Sequence, residues 1–137
     1  MTITRALVGP LAMLVLSVAC GGGQKPAGDV EKGRQAFVDL HCNACHQVAG
    51  ESLPPASVTP AVALGGRALL PPSEERLRED ILLPSSHFAV GYPSEQIMKG
   101  DQSRMPDYSK ALTEEQVANL AAFLRSRYQQ GLPTGTR

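Results

Sequence analysis

The sequence predicts a small all-α domain whose long connections wrap around a bulky non-protein group, and three observations carry that reading. Apolar residues recur at helical spacing in three segments, while polar and apolar residues nowhere alternate over more than a few positions. Pro54, Pro55, Pro60, Pro71 and Pro72 break up the middle of the chain and leave connections longer than an ordinary helix bundle uses. With three Phe, three Tyr and no Trp among 137 residues, the chain has few large rings to fill a core of its own.

Residues 1–19 carry one charge, Arg5, ahead of the uncharged apolar run at residues 6–19, the pattern of an export signal. A helix over that run would reach about 21 Å, short of a hydrocarbon core of about 30 Å, and Pro10 interrupts it. The expectation is an exported, periplasmic or otherwise extracytoplasmic protein. Ser17-Val18-Ala19-Cys20-Gly21 resembles the lipobox of bacterial lipoproteins, which implies that Cys20 is lipidated and tethers the mature chain to a membrane. Ser17 stands where that pattern favours an aliphatic residue. Ser17-Val18-Ala19 also suits an ordinary signal peptidase, which would leave a soluble exported protein with a free thiol. Residues 20–28, rich in glycine, read as a flexible linker, residues 29–130 as the folded domain and residues 131–137 as a tail.

Asp29 caps the first helix, in which Val30, Gly33, Phe37 and Leu40 form one apolar face. Ser73 opens the second, with Glu74 and Glu75 in the first turn, where the helix dipole favours them. Leu77 and Ile81 lie one turn apart, and Pro84 ends it. Thr113 and Gln116 form a capping box for the third, whose stripe runs Val117, Leu120, Ala121, Leu124 and Tyr128, with Gly131 as C-cap. A short helix is expected over residues 94–99, closed by Gly100.

Just after the first helix comes Cys42-Asn43-Ala44-Cys45-His46. One helical turn brings Cys42 and Cys45 to the same side, where their sulfurs can add to the two vinyl groups of a haem while His46 offers its imidazole to the iron. A thioredoxin-like dithiol would need a strand before the motif and a parallel sheet around it. A structural zinc site would need four ligands, and only His41 and His87 remain to supply them. A disulfide within one turn is sterically awkward and leaves His46 without a role. One covalent haem c is therefore the expected cofactor.

On these residues the chain resembles the small class I c-type cytochromes over nearly all of residues 29–130. Gly33 and Phe37 match the family's G-x-x-x-F amino-terminal helix, and Leu120-Ala121-Ala122-Phe123-Leu124 matches the carboxy-terminal helix that crosses it. The resemblance implies a small cytochrome c fold clasped by those two helices. Thr59-Pro60 followed by Leu64-Gly65-Gly66-Arg67 is similar to the family's G-P-x-L-x-x-x-G-R, with Thr59 in place of the glycine. It implies that the Pro60 carbonyl receives the His46 N–H and that Arg67 approaches a haem propionate. Met105-Pro106-Asp107-Tyr108 resembles M-P-x-[FY], which makes Met105 the distal iron ligand, 59 residues after His46. Residues 81–124 look most like the cytochrome c domains of haem-copper oxidase second subunits, without the copper-site cysteine pair that precedes those. Residues 94–104 are longer than that family leads one to expect.

Met98 and His87 are rival distal ligands, the first better read as a core residue on the short helix and the second as a surface loop histidine. His41 is expected to be exposed. A His/Met iron has no open position and a raised potential, so the implied function is one-electron transfer with redox proteins as donor and acceptor. A haem c subunit fixed in a larger oxidoreductase and a gas-binding sensor with an open distal site are the alternative readings. The charge balance, 13 Lys+Arg against 13 Asp+Glu, disfavours nucleic acid as a partner. No nucleophile elbow, phosphate loop or paired carboxylate array is present, so an enzyme is not expected.

Overall fold

Asp29 opens the first helix as its side chain implies, accepting a hydrogen bond from the Lys32 amide. The computed structural model describes residues 26–132, in which α1 (Val30–Asp39) crosses α4 (Glu114–Ser126) and α2 (Glu74–Leu82) packs on the same α4. The export signal, Cys20 and most of the linker and tail lie outside those residues. No described helix is long and apolar enough to cross a membrane.

The crossing works because Gly33 lacks a side chain. A Cβ there would lie 1.9 Å from the Asn119 carbonyl oxygen, so the two backbones meet directly. One turn on, Phe37 meets Phe123 edge to face, with ring centroids 5.7 Å apart. Asn119, the polar residue in the apolar stripe of α4, is buried and accepts the Asp29 amide at 2.7 Å, which fixes where α1 begins. Thr113 and Gln116 form the capping box of α4, and the Ser73 side chain caps α2 through the Arg76 amide.

The remaining chain is not purely helical, which corrects the expectation of an all-α domain. Besides α3 (Ser94–Ile97), the described residues hold six strands of two or three residues. Three two-stranded ladders result: β1 (His46–Val48) runs parallel to β2 (Val62–Leu64), β3 (Gly66–Ala68) parallel to β6 (Tyr128–Gln130), and β4 (Met98–Lys99) antiparallel to β5 (Gln102–Ser103). Such pieces are too short to show a period of two in sequence. They satisfy the backbone of the connections by pairing them with one another.

Strand pairing overrides two predicted boundaries, and packing shifts a third. The third predicted helix stops at Ser126, and Tyr128 belongs to β6 rather than to the stripe. Gly66 N donates to Arg127 O and Gly131 N to Ala68 O, so a strand pairing replaces the last helical turn. The helix expected over residues 94–99 ends at Ile97, and Met98 turns into the β4–β5 hairpin around Gly100, whose φ of 65° suits glycine. The end of the linker is packed rather than free: Arg78 donates to the Pro26 carbonyl at 2.8 Å, and Gly28 lies against the Ala118 carbonyl.

Glu51 ties these parts together. Its carboxylate takes Arg34 of α1 at 2.8 Å and Arg127, the C-cap of α4, at 2.9 Å, and Arg127 also stacks over the Phe123 ring. The core remains small. Among the described residues eleven apolar side chains are buried, three of them alanine, and only Phe37 and Phe123 are large and fully buried.

Candidate functional site

His41 adopts a left-handed conformation at the end of α1 and starts a single 3-10 turn over Cys42–Ala44, closed by Cys45 N donating to Cys42 O at 3.2 Å. That turn carries two free thiols three residues apart, Cys42 half-buried and Cys45 exposed. Burial above all pushes the Cys42 thiol up to about 11, its backbone amide and the Cys45 charge acting in opposite senses. Cys42 is thus a neutral thiol through the physiological range. His41 itself is exposed, as expected.

The next residue, His46, begins β1 and is held in register opposite Val62, with Val62 N donating to Cys45 O at 2.9 Å. Its ring lies 6.5 Å from that of Phe37, and its Nδ1 is fully buried without a hydrogen bond of normal geometry. Burial, offset in part by the Val62 backbone, holds the imidazole below its ordinary pKa. The ring is therefore in the neutral form that coordinates a metal.

Met105 is half-buried on a non-helical loop and lines an open cleft of about 410 Å³ with residues 82–86 and 102–107. Tyr108, three residues on, has its phenol pushed up by burial and then by the Cys42 and Cys45 charges, so it lies within electrostatic range of the cysteine turn. The rivals of Met105 are otherwise engaged: His87 Nδ1 pairs with Asp80 of α2 at 3.2 Å, and Met98 sits half-buried in the β4–β5 hairpin.

The surroundings of two further expected contributors are as follows. The Pro60 carbonyl does not receive the His46 N–H. It accepts the side-chain amide of Gln96 instead, because the segment after Tyr92 folds back onto residues 60–63. Arg67 is exposed on β3, and no hydrogen bond or ion pair joins it to the cysteines, His46 or Met105. Three participants were missed from sequence. Gln96 and Tyr92 give no signal there, and Tyr108 was noticed only as part of a motif, without its approach to the cysteines.

The donors fit a covalent haem: two unpaired thiols on one turn, an imidazole directly after them that burial keeps below its ordinary pKa, and the thioether of Met105 on a loop. Among the described residues no group of three or more His, Cys, Asp or Glu is placed to hold a metal ion. A family model described as Cytochrome c matches residues 30–127, most of the chain and all of these donors. No curated protein and no solved structure matches it.

Proposed function

The chain belongs to the cytochrome c family, and from that premise we propose that it is a one-electron carrier whose haem c is bound through Cys42 and Cys45 and ligated by His46 and Met105. Membership of the family implies one covalently bound haem, electron transfer through it and redox partners. The observation that carries the residue assignment is the single turn that presents Cys42 and Cys45 immediately before the half-buried His46, whose pKa burial holds down.

When bound, the group supplies an iron that gains or loses one electron. The chain does the rest. Cys42 and Cys45 would hold the group, and His46, set by its register with Val62, would supply a nitrogen ligand. Met105 would supply a thioether ligand, a type that raises the potential. Phe37, packed between the His46 ring and Phe123, would help exclude water from the imidazole.

Met105→Ala is expected to abolish the weak sulfur-to-iron band of the oxidised protein and lower the potential, within the roughly 0.8 V over which axial ligands set it. It should also let carbon monoxide reach the reduced iron, while His87→Ala and Met98→Ala leave the band intact. Survival of the band in Met105→Ala would refute the ligand assignment.

The carrier is further proposed to be exported and tethered through a lipidated Cys20, on the strength of the apolar run and of Ser17-Val18-Ala19-Cys20. Labelled palmitate should enter the wild type and not Cys20→Ser. A soluble wild type with a free amino terminus would speak for ordinary cleavage. A second reading, a haem c subunit fixed in a larger oxidoreductase, is favoured by one surface. Leu69 and Leu70 follow β3 and Leu132 follows its partner β6, so three exposed leucines gather at one end of that ladder, Leu70 at 88% and Leu132 at 73% exposure.

A further inference from the structure

Residues 92–104, which include the stretch of residues 94–104 longer than the family resemblance leads one to expect, bond to residues 60–63 at one end and lead into Met105 at the other. At the start, the Tyr92 hydroxyl accepts the Ala63 amide at 2.8 Å and the Gln96 amide donates to the Pro60 carbonyl. Both contacts fasten the segment to the run that leads into and forms β2, and β2 pairs in register with the strand carrying His46. At the end, Arg104 closes the stretch on itself. Its backbone amide donates to Ile97 O, and its Nε is shared between the carbonyls of Glu95 and Met98, each at 2.9 Å.

Ser103 then hands the chain on to Met105. Its hydroxyl accepts the Met105 amide at 3.1 Å, and its own amide donates to the Ser85 hydroxyl at 3.0 Å, on the loop after α2. The backbone of Met105 is thus held from one side by the hairpin and from the other by Pro106, which biases Met105 away from helical conformations.

We propose that residues 92–104 are a positioning strap that fixes Met105 relative to the strand bearing His46, with Ser103 and Arg104 as its positioning residues. The inference rests on the reading of Met105 as the distal ligand. A methionine on an unsupported loop leaves the iron often; a strap bonded at both ends restricts that excursion. Each of the hydrogen bonds involved uses at least one backbone group, so it restrains the course of the chain directly.

Imidazole is a suitable probe, because it competes with a thioether for the oxidised iron and its binding is read as loss of the sulfur-to-iron band. In holoprotein, Ser103→Ala and Arg104→Ala should each raise the apparent affinity for imidazole by about fivefold or more, the equilibrium effect of losing one such hydrogen bond. Ser103→Thr, which keeps the hydroxyl, should restore wild-type affinity, and Glu95→Ala should leave it unchanged because Arg104 uses the Glu95 carbonyl. Wild-type imidazole affinity in both Ser103→Ala and Arg104→Ala, with Met105→Ala lacking the band, would overturn the strap alone. A band that survives Met105→Ala would overturn the ligand reading and the strap with it. Should Arg104→Ala fail to mature, the Ser103→Ala and Ser103→Thr pair decides.

Discussion

A chain carrying both Cys42→Ala and Cys45→Ala is expected to emerge from a haem-attaching host without acid-stable haem and without a cooperative thermal transition. The reason lies in the size of the core. Eleven buried apolar side chains, three of them alanine, cluster along α4 and the faces of α1 and α2, and the short ladders that complete the domain bury only Val48. A domain of this length has little stability to spare, and the loops between the helices have few large side chains to close around. On the proposed assignment, a covalent group held at the Cys42–Cys45 turn would link that turn to the Met105 loop and make the wrapping favourable. Intact mass, acid-acetone extraction and a melting curve together report the result. A double variant that melts cooperatively at the wild-type temperature would show that the polypeptide folds unaided.

Gly33→Ala is expected to cost about 3 kcal/mol, the upper end for overpacking a tight contact, and to lower the melting temperature by roughly 10 °C or more. The added Cβ meets a backbone carbonyl oxygen of α4 at 1.9 Å and the Cβ of Phe123 at 2.7 Å, and neither can rotate away. Relief requires the two helices to move apart, which would loosen the Phe37–Phe123 contact and with it the packing against the His46 ring. Glu31→Ala, exposed on the same helix, is the control and should change little. Calorimetry on the holoprotein separates the two. A melting temperature for Gly33→Ala within a degree of the wild type would mean that the crossing is not the clasp of the fold.

The parts of this structure that a local signal encodes could be read from sequence, and the parts made by distant partners could not. Asp29, Ser73 and the Thr113–Gln116 box mark their helix starts because a cap is a contact over three residues. Gly33 and Phe37 pointed to a helix crossing only through the family pattern they match, and the structure supplies the reason, a backbone contact that a side chain at Gly33 would block. The cysteine turn and His46 were legible because the chemistry demands that spacing. The end of α4 was misjudged because β3, about 60 residues earlier, claims Tyr128–Gln130 as a partner. The Pro60 carbonyl was assigned to His46 by resemblance, whereas Gln96, in a segment of unexpected length, occupies it. Asn119 left a trace in the sequence, a polar side chain within an apolar stripe, and its bond to Asp29 is what such a placement requires.

Whether the iron of this chain is closed by His46 and Met105 separates a carrier from a sensor, and one spectrum of the unmutated holoprotein decides it. The oxidised form should show the sulfur-to-iron band near the red end of the visible range. The dithionite-reduced form should keep an unchanged spectrum when carbon monoxide is added. Full and immediate binding of carbon monoxide, with no such band in the oxidised form, would mean an open distal position and would contradict the carrier.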